Sequence, residues 1–203
     1  MMRTAMIPGM QPTLATVLWP SDRAFRHVIL VAVGSALLTL SAKVQIPFWP
    51  VPMTMQTYVV LVLGMAYGTR LGVATVLFYL AQGALGLPVL AGTPERGIGL
   101  AYMVGPTGGY LVGFVAAAAL AGQLAARGWD RSFARTLLAM ALAHLVIFVP
   151  GVIWLAASIG WERAFAVGLV PFAWATVAKT LLGVVTLPFA WRLVGQDRGS
   201  KGK

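Results

Sequence analysis

The segment VPFAWATVAKTLLGVVTLPFAW, residues 170–191, is long and apolar and carries one full charge, on Lys179. About 20 apolar residues are enough for a helix to cross the hydrocarbon core of a membrane. A charged side chain near the bilayer centre costs roughly 2.5–3.5 kcal/mol on insertion scales, so such a residue normally faces protein or water and marks a pathway or a ligand. The segment therefore predicts a membrane span with a functional lysine inside it.

The rest of the chain has the same apolar character. Its 203 residues are 59% hydrophobic and only 10% charged, with a mean hydropathy of +0.84, whereas soluble domains carry about 25% charged residues. We predict an all-α integral membrane protein with six transmembrane helices. The apolar runs place these spans at residues 27–42, 54–68, 70–91, 101–125, 136–158 and 165–191.

The positive charges are distributed unevenly between the two sides of this predicted bundle. Six spans place both termini on one side, and eleven basic residues fall there: Arg3, Arg23, Arg26, Arg70, Arg127, Arg131, Arg135, Arg192, Arg198, Lys201 and Lys203. The opposite loops carry only Lys43, Arg96 and Arg163. The positive-inside rule therefore predicts that both termini lie in the cytoplasm. We expect a multi-pass protein of the bacterial cytoplasmic membrane. The net charge of +10 is then a topology signal that also favours membrane lipid, and nucleic-acid binding is not expected.

This pattern divides the chain into three parts. Residues 1–26 form a basic cytoplasmic flank, residues 27–192 the transmembrane domain that binds substrate, and residues 193–203 a basic cytoplasmic tail. The length leaves no room for a separate soluble domain of the size that nucleotide hydrolysis requires.

The first outer loop, SAKVQIPFWPVPMTMQ at residues 41–56, is predicted to be irregular. Its prolines at positions 47, 50 and 52 are spaced too closely for a helix, since each removes a backbone donor and favours extended geometry before it. Such an apolar loop is poorly placed in water. It either folds back over the bundle as a lid or forms an aromatic belt at the depth of the lipid headgroups.

A second irregular segment, residues 85–113, lies between the third and fourth predicted helices and contains eight glycines and three prolines. Non-helical backbone at membrane depth is tolerated only where protein or a polar cavity satisfies it. The run Gly105-Pro106-Thr107-Gly108-Gly109-Tyr110 is therefore a candidate wall of a binding site. Alternatively, its glycines allow a neighbouring helix to approach closely.

The residues required for catalysis or metal binding are missing from the sequence. Cysteine is absent, and the five acidic residues all fall in predicted loops or termini without a partner: Asp22, Glu95, Asp130, Glu162 and Asp197. No P-loop is present, and His144 inside the fifth span is typical of an interhelical hydrogen bond. We therefore expect no enzyme, no metal and no cofactor, although Lys179 as a catalytic amine is an alternative with slight support.

Five stretches of the chain together resemble one family. They are IPFWPVPMTMQT, LGMAYGTRLGVATVLFYLAQGALGLPVLAG, GPTGGYLVGF, GVIWLA and PFAWATVAKTLLG, running collinearly from about residue 30 to 190. The sequence resembles the BioY family, the biotin-specific S components of energy-coupling-factor (ECF) transporters. The resemblance implies a six-helix bundle with an outward-facing biotin pocket, working with a coupling subunit and two ATPases. A self-sufficient facilitator or secondary transporter for biotin or another small carboxylate is the alternative.

The resemblance also assigns roles to individual residues. Ala32 and Ala36, spaced four apart on the first helix, fit the small residues that dock the coupling subunit, although such a face could equally seat another helix of the same chain. The last helix of the family usually shows a P-F-x-x-G-D-x-x-K pattern, and here Thr176 stands where the aspartate would be. Lys179 therefore lacks its expected partner, and a ligand oxygen would compensate its charge.

The remaining candidates for ligand binding come from several helices and from the first loop. Lys179 lies about fourteen residues from either end of the span 165–191, too far to reach water, so we expect it to point into the bundle. The other predicted ligand contacts are Thr176, Thr107, Tyr110, Gln82, Gln56, Tyr79, Trp49 and Phe48. For Gln82 and Tyr79 the alternative is a bridge between neighbouring helices.

Overall fold

The computed structural model describes residues 11–21, 23–46 and 49–200, with side chains up to residue 194. This part of the chain is mostly helical, as its apolar composition predicts. In chain order its helices are α1 (Leu14–Leu18), α2 (Ala24–Lys43), α3 (Gln56–Tyr67), α4 (Thr69–Ala84), α5 (Gly99–Met103), α6 (Gly108–Ala126), α7 (Phe133–Ile159), α8 (Trp161–Gly168) and α9 (Ala173–Ser200).

Four helical stretches of the described chain are long and apolar enough to cross a membrane. They are Ala24–Lys43, Gly108–Ala126, Phe133–Ile159 and Trp161–Val194, while α3 is apolar but shorter. A multi-pass membrane protein is thereby confirmed. Each of the six predicted spans overlaps one of α2, α3, α4, α6, α7 and α9.

The predicted bounds are wrong where glycine and proline interrupt the apolar pattern. Helix α4 ends at Ala84 rather than at 91, just before Gly86, which has a φ of 88°. Helix α6 begins at Gly108, after a break that contains Pro106, rather than at 101. The last predicted span is divided into α8 and α9 by a 3-10 turn at Val170–Phe172, since Pro171 lacks the backbone N–H that a continuous helix needs.

The proline-rich first loop forms a small hairpin. Strands β1 (Gln45–Ile46) and β2 (Met53–Thr54) pair antiparallel, with Gln45 opposite Thr54. Val51 and Pro52, between the strands, are buried. We call this end of the bundle, with the hairpin and residues 85–107, the hairpin end.

Helix α6 is the central helix, and it packs against α7, α3 and α4. Small residues allow this close contact, because a Cβ on Gly64 of α3 would lie 2.8 Å from the carbonyl oxygen of Ala118. A Cβ on Gly122 would lie 2.6 Å from the Cα of Thr69 at the start of α4. Helices that approach this closely leave no internal space between them.

The opposite end is closed by the N-terminal segment and by the 3-10 turn Trp129–Arg131. The backbone N–H of Gln11 donates to Ala126 O over 2.8 Å, and Arg131 donates to Pro12 O over 3.0 Å. Asp130 is 1% exposed and accepts a 2.6 Å hydrogen bond from the Trp191 indole. We call this the Asp130 end. The Asp130 end is closely packed, whereas the irregular hairpin end surrounds a central cavity beneath the hairpin.

Candidate binding site

A central cavity lies beneath the hairpin, between the loops of the hairpin end and helices α3, α6, α7 and α9. Its internal volume is about 50 Å³, below the roughly 300–1,000 Å³ typical of small-molecule sites, so a ligand would have to push apart the side chains that line it. Most of its wall is apolar. The polar side chains that line it are Thr54, Gln56, Thr57, Tyr102, Thr107, Tyr110 and Lys179.

Lys179 points into this cavity from α9 and is 7% exposed. Its ammonium donates a 2.6 Å hydrogen bond to Thr54 O and a 3.3 Å bond to the Thr57 hydroxyl. Among the described side chains, no carboxylate lies within ion-pair distance of the ammonium. Neutral dipoles alone compensate a buried charge poorly, so this end of the cavity favours a ligand with an electron-rich oxygen.

The sequence predicts that Lys179 points inward because it lies far from both ends of its helix. This reason is wrong for the N-terminal end of the helix. Because α9 begins at Ala173, Lys179 is only about two turns from the start of its helix. The side chain is held inside by Thr54 and Thr57, not by its distance from the membrane surfaces. The helix break that places Lys179 near the hairpin end also places it in the wall of the cavity.

Gln56 lies beside the lysine and belongs to a chain of hydrogen bonds. Its Nε2 donates to the Tyr79 hydroxyl over 2.6 Å, and the Thr54 hydroxyl donates to its Oε1 over 3.2 Å. The Tyr79 hydroxyl in turn donates to Val89 O over 3.0 Å. Donor and acceptor groups therefore lie together at one end of an otherwise apolar cavity, as in sites that orient a small molecule.

The glycine-rich segment fits both alternatives that its sequence left open. Thr107 and Tyr110 line the cavity. A Cβ on Gly109, by contrast, would collide with the backbone of Pro150 in α7, so the glycine allows two helices to approach. The Tyr110 hydroxyl donates to Gly168 O over 2.8 Å, which leaves its ring and a lone pair for contact with a ligand.

Four of the predicted contacts do not line the cavity in this structure. Tyr79 is buried behind Gln56, and Gln82 accepts a hydrogen bond from the Ser35 hydroxyl, bridging α4 and α2. Trp49 is 80% exposed, and Thr176 lines a separate groove between α7 and α9. Phe48 lies outside the described residues. The part that each plays in binding stays a prediction.

The groove between α7 and α9 also contains His144 and Thr180. His144 Nδ1 lies 2.9 Å from Met140 O on its own helix and 3.3 Å from the Thr180 hydroxyl on α9. The second contact is the interhelical hydrogen bond that the sequence predicts for an intramembrane histidine. No group of three potential metal ligands is present among the described residues.

Several residues at the cavity were missed by the sequence analysis. Thr54 and Thr57 flank Gln56 in the stretch MTMQT, and both approach Lys179. Phe172, Phe148 and Phe114 supply aromatic wall. The threonines lie close to a predicted contact at the start of a helix, which is the signal that could have identified them. The aromatic residues carry no such signal, because aromatic side chains are common throughout apolar helices.

The predicted docking residues on α2 face away from the bundle. Ala32 and Ala36 are exposed, whereas Gly34 and Ser35 pack towards α4. The large apolar side chains Val33 and Leu37 are exposed beside them. In the described structure this small-residue face therefore seats no other helix of the chain.

Comparisons with known proteins identify relatives over most of the chain. The model of the BioY family matches residues 10–196. The probable biotin transporter BioY of Pyrococcus horikoshii is 36% identical over 160 residues, which are 79% of this chain and 93% of the relative. The biotin transporter BioY of Thermotoga maritima is 35% identical over 161 residues, 79% of this chain and 92% of that protein.

A crystal structure of the S-component for biotin from an ECF-type ABC transporter has a similar fold. The superposition has a TM-score of 0.69 at 22% sequence identity and covers 83% of this chain and 92% of the other. At this identity the likeness is one of fold.

Proposed function

The chain belongs to the BioY family, and from this membership and the geometry of the cavity we propose that it is a high-affinity biotin-binding protein. Its relatives are named as biotin transporters. It takes up biotin across the cytoplasmic membrane as the substrate-specificity subunit of an ECF-type ABC transporter. It carries out no chemical conversion of the vitamin.

The observation that carries this proposal is the grouping of polar atoms around Lys179. The ureido ring of biotin presents one carbonyl acceptor and two N–H donors. The Lys179 ammonium supplies a donor for the carbonyl, and the side-chain oxygens of Gln56 and Thr57 supply acceptors for the N–H groups. Such a match matters because each buried polar group left unsatisfied costs about 1–3 kcal/mol. We assign the ureido oxygen to Lys179.

The apolar remainder of the cavity suits the rest of the vitamin. Phe114, Phe148 and Phe172 line it together with Ile147, and the thioether ring and hydrocarbon chain of biotin are apolar. The loop at Val51 and Pro52 closes the cavity at the hairpin end. Biotin would therefore enter from the hairpin end, with its head group towards Lys179.

The membrane arrangement is part of the same proposal. Six helices, α2, α3, α4, α6, α7 and α9, cross the membrane with both termini in the cytoplasm, so that the hairpin end faces outward. Helix α3 has 12 residues, about 18 Å at 1.5 Å per residue, less than the roughly 30 Å of hydrocarbon core. The hairpin and its prolines complete the membrane thickness above this short helix.

Transport requires an energy source that this chain does not contain. We propose that a transmembrane coupling subunit docks on the exposed face of α2 that contains Ala32 and Ala36, and that two ATPase subunits drive the cycle. The small side chains let the backbone of a partner helix approach closely. The neighbouring Val33 and Leu37 add apolar area to the contact.

Calorimetric titration of the purified protein tests the binding step. Biotin should bind at nanomolar concentration, and thiamine and riboflavin, which lack the fused ureido and thioether rings of biotin, should not bind at all. Tighter binding of another vitamin, or none of biotin, would reject the assignment.

Uptake by cells tests the energy source. Labelled biotin should enter cells that express this chain together with a coupling subunit and its ATPases, and Ala32→Leu should reduce this uptake without changing biotin affinity. Gln123→Leu, at an exposed site of α6, is the matched control. Full uptake in cells that lack any such module would support a self-sufficient transporter instead.

A further inference from the structure

Tyr79 lies behind the wall of the cavity and contacts a residue that lines it. Its side chain in α4 has an exposed fraction of 0%, and the lining residues do not include it. Its hydroxyl nevertheless lies 2.6 Å from Nε2 of Gln56, and Gln56 does line the cavity. Tyr79 is therefore one hydrogen bond removed from any bound ligand.

The direction of this hydrogen bond follows from the second partner of the hydroxyl. Val89 O lies 3.0 Å from the Tyr79 oxygen, and a carbonyl oxygen can only accept. The single hydrogen of the hydroxyl therefore goes to Val89, and the oxygen has only lone pairs left for Gln56. The Gln56 atom that meets Tyr79 must then be the NH2 group.

The opposite end of the carboxamide gives the same orientation. The backbone N–H of Gln56 donates to Thr54 Oγ1 over 3.3 Å, so the threonine hydrogen is free to donate. That hydroxyl donates to Gln56 Oε1 over 3.2 Å. A hydroxyl could also accept from an NH2 group through its second lone pair, so it is the end at Tyr79 that fixes the orientation.

We infer that Tyr79 is a positioning residue that holds the Gln56 carboxamide with its oxygen towards the cavity. Thr54, which holds the oxygen, lines the cavity, whereas Tyr79, which holds the nitrogen, does not. This wall of the site therefore accepts hydrogen bonds and selects a ligand with an N–H donor. The inference rests on the proposed function, because the ureido N–H groups of biotin are the donors that it would select.

Tyr79→Phe removes the hydroxyl and keeps the ring. The Gln56 carboxamide can then adopt a second orientation, with its NH2 group towards the ligand. In the parent, the hydrogen bond to Tyr79 excludes this orientation. An N–H of the ligand would be repelled by that group, and a ring oxygen in the same position would be accepted. The substitution should therefore change the preference between two ligands as well as the affinity for either of them.

The experiment compares biotin with two cyclic carbamate analogues, in each of which one ring N–H is replaced by oxygen. Dissociation constants are measured for the purified full chain and for Tyr79→Phe. We expect the parent to prefer biotin over both analogues. In Tyr79→Phe we expect the preference over one analogue to fall about tenfold, the effect of one hydrogen bond. Because the preference is a ratio within one variant, a reduced fraction of folded protein does not affect it.

Two further variants separate positioning from a general loss of structure. Tyr67→Phe removes a hydroxyl at the other end of α3, away from the cavity, and should leave the preference unchanged. Gln56→Glu combined with Tyr79→Phe should restore the preference for biotin, since a carboxylate accepts through either oxygen.

The outcomes distinguish this inference from the proposed function. If the parent binds biotin and Tyr79→Phe keeps the parental preference over both analogues, the positioning role is overturned and the proposed function stands. If the parent does not bind biotin, both are overturned.

Discussion

The two ends of the bundle are held together by different kinds of contact. At the Asp130 end, backbones touch through glycine and alanine, as Gly64 does at Ala118 and Gly122 at Thr69. At the hairpin end, helices stop early and side chains donate to the carbonyls of loops, strand ends and one helix end. These bonds are Lys43 to Leu90 and Thr93, Tyr79 to Val89, Tyr102 to Ala91, Tyr110 to Gly168 and Lys179 to Thr54.

This difference explains why the cavity lies where it does. Irregular backbone inside a membrane must have its polar groups satisfied by protein or by a polar cavity. The side chains that satisfy it at the hairpin end come from different helices and meet around the cavity, although α6 and α7 still touch there at Gly109 and Pro150. The Asp130 end has bonds of this kind too, such as that from Arg131 to Pro12 O, but glycines bring its helices into direct contact. We expect substitutions at the Asp130 end to change stability and substitutions at the hairpin end to change binding.

Gly122→Ala should give the largest effect, which is a loss of stability through disturbed packing at the Asp130 end. Its new methyl group would lie 2.6 Å from the Thr69 Cα, and backbone cannot move aside as a flexible side chain can. We expect a loss of about 3 kcal/mol, the upper part of the usual range for overpacking, or roughly 6–12 °C in Tm. Thermal unfolding in detergent measures it.

Gln123→Ala is the matched control, because residue 123 is exposed on the next position of the same helix. The molecules of Gly122→Ala that remain folded should bind biotin with the parental affinity. A parental Tm for Gly122→Ala, or a large loss of affinity in its folded fraction, would contradict the division between the two ends.

Lys179→Met should give the next largest effect, on binding rather than stability. It removes the donor for the ureido oxygen, and a charge-assisted hydrogen bond contributes roughly 1.5–3 kcal/mol, which is ten- to a hundredfold in Kd. The Tm should not fall, since the buried ammonium has only dipoles as partners. Calorimetric titration with biotin measures the change.

Arg163→Met removes a positive charge from an exposed position of α8 and should bind biotin as the parent does. Parental affinity in Lys179→Met would mean that the lysine has only a structural role, and the assignment of the ureido group to this corner would be wrong.

The sequence predicts the helices of this protein better than it predicts their ends. Apolar runs mark α2 and α7 to within three residues, and Pro150 inside α7 does not end that helix. The ends of α4, α6 and α9 depend on Gly86, Pro106 and Pro171, and a hydropathy pattern averages over such single residues. Since Lys179 takes its position from the start of α9, an error in that helix end also gives the wrong depth for the lysine.

The candidate site was predictable where a residue type is unusual for its surroundings. Lys179 in an apolar helix, and Thr107 and Tyr110 in a glycine-rich segment, all line the cavity. Gln56, Gln82 and Tyr79 are polar residues of similar appearance in sequence, yet only Gln56 lines it. Which of them meets a ligand depends on rotation and on partners such as Ser35 and Val89, which lie far apart in the chain.

Val51→Ala should have a smaller effect than Lys179→Met. It tests whether the loop at Val51 closes the cavity at the hairpin end. Val51 is buried and lines the cavity, whereas Trp49 is 80% exposed. Removing two methyl groups from the closing loop should speed biotin release by about three- to tenfold, from the roughly 1 kcal/mol that small core truncations cost. Stopped-flow displacement of bound biotin measures the rate.

Trp49→Ala is the comparison at the same loop, and we expect it to change the release rate less than Val51→Ala does. A larger acceleration in Trp49→Ala would indicate that the tryptophan closes over bound biotin, in an arrangement of the loop different from this one.

The smallest expected effect concerns Asp130, the buried acid of the packed end. Burial raises the pKa of the Asp130 carboxyl above its ordinary value, and the hydrogen bond from Trp191 only partly opposes this shift. A folded-state pKa above the unfolded one means that the folded protein binds the proton more tightly. The contribution of Asp130 to stability is therefore most favourable below the unfolded pKa of about 3.8 and declines as the pH rises through the folded value.

Asp130→Asn tests this sign. The amide oxygen of the substituted side chain would still accept from the Trp191 indole, and no charge would have to be buried at neutral pH. We expect Asp130→Asn to unfold at the parental temperature or up to about 4 °C above it at pH 7, the equivalent of roughly 1 kcal/mol. The difference between variant and parent should shrink as the pH is lowered towards 4, while biotin affinity stays unchanged throughout. A lower Tm at pH 7 would show that the carboxylate is stabilised by its surroundings, and a changed affinity would show that the Asp130 end is coupled to the cavity after all.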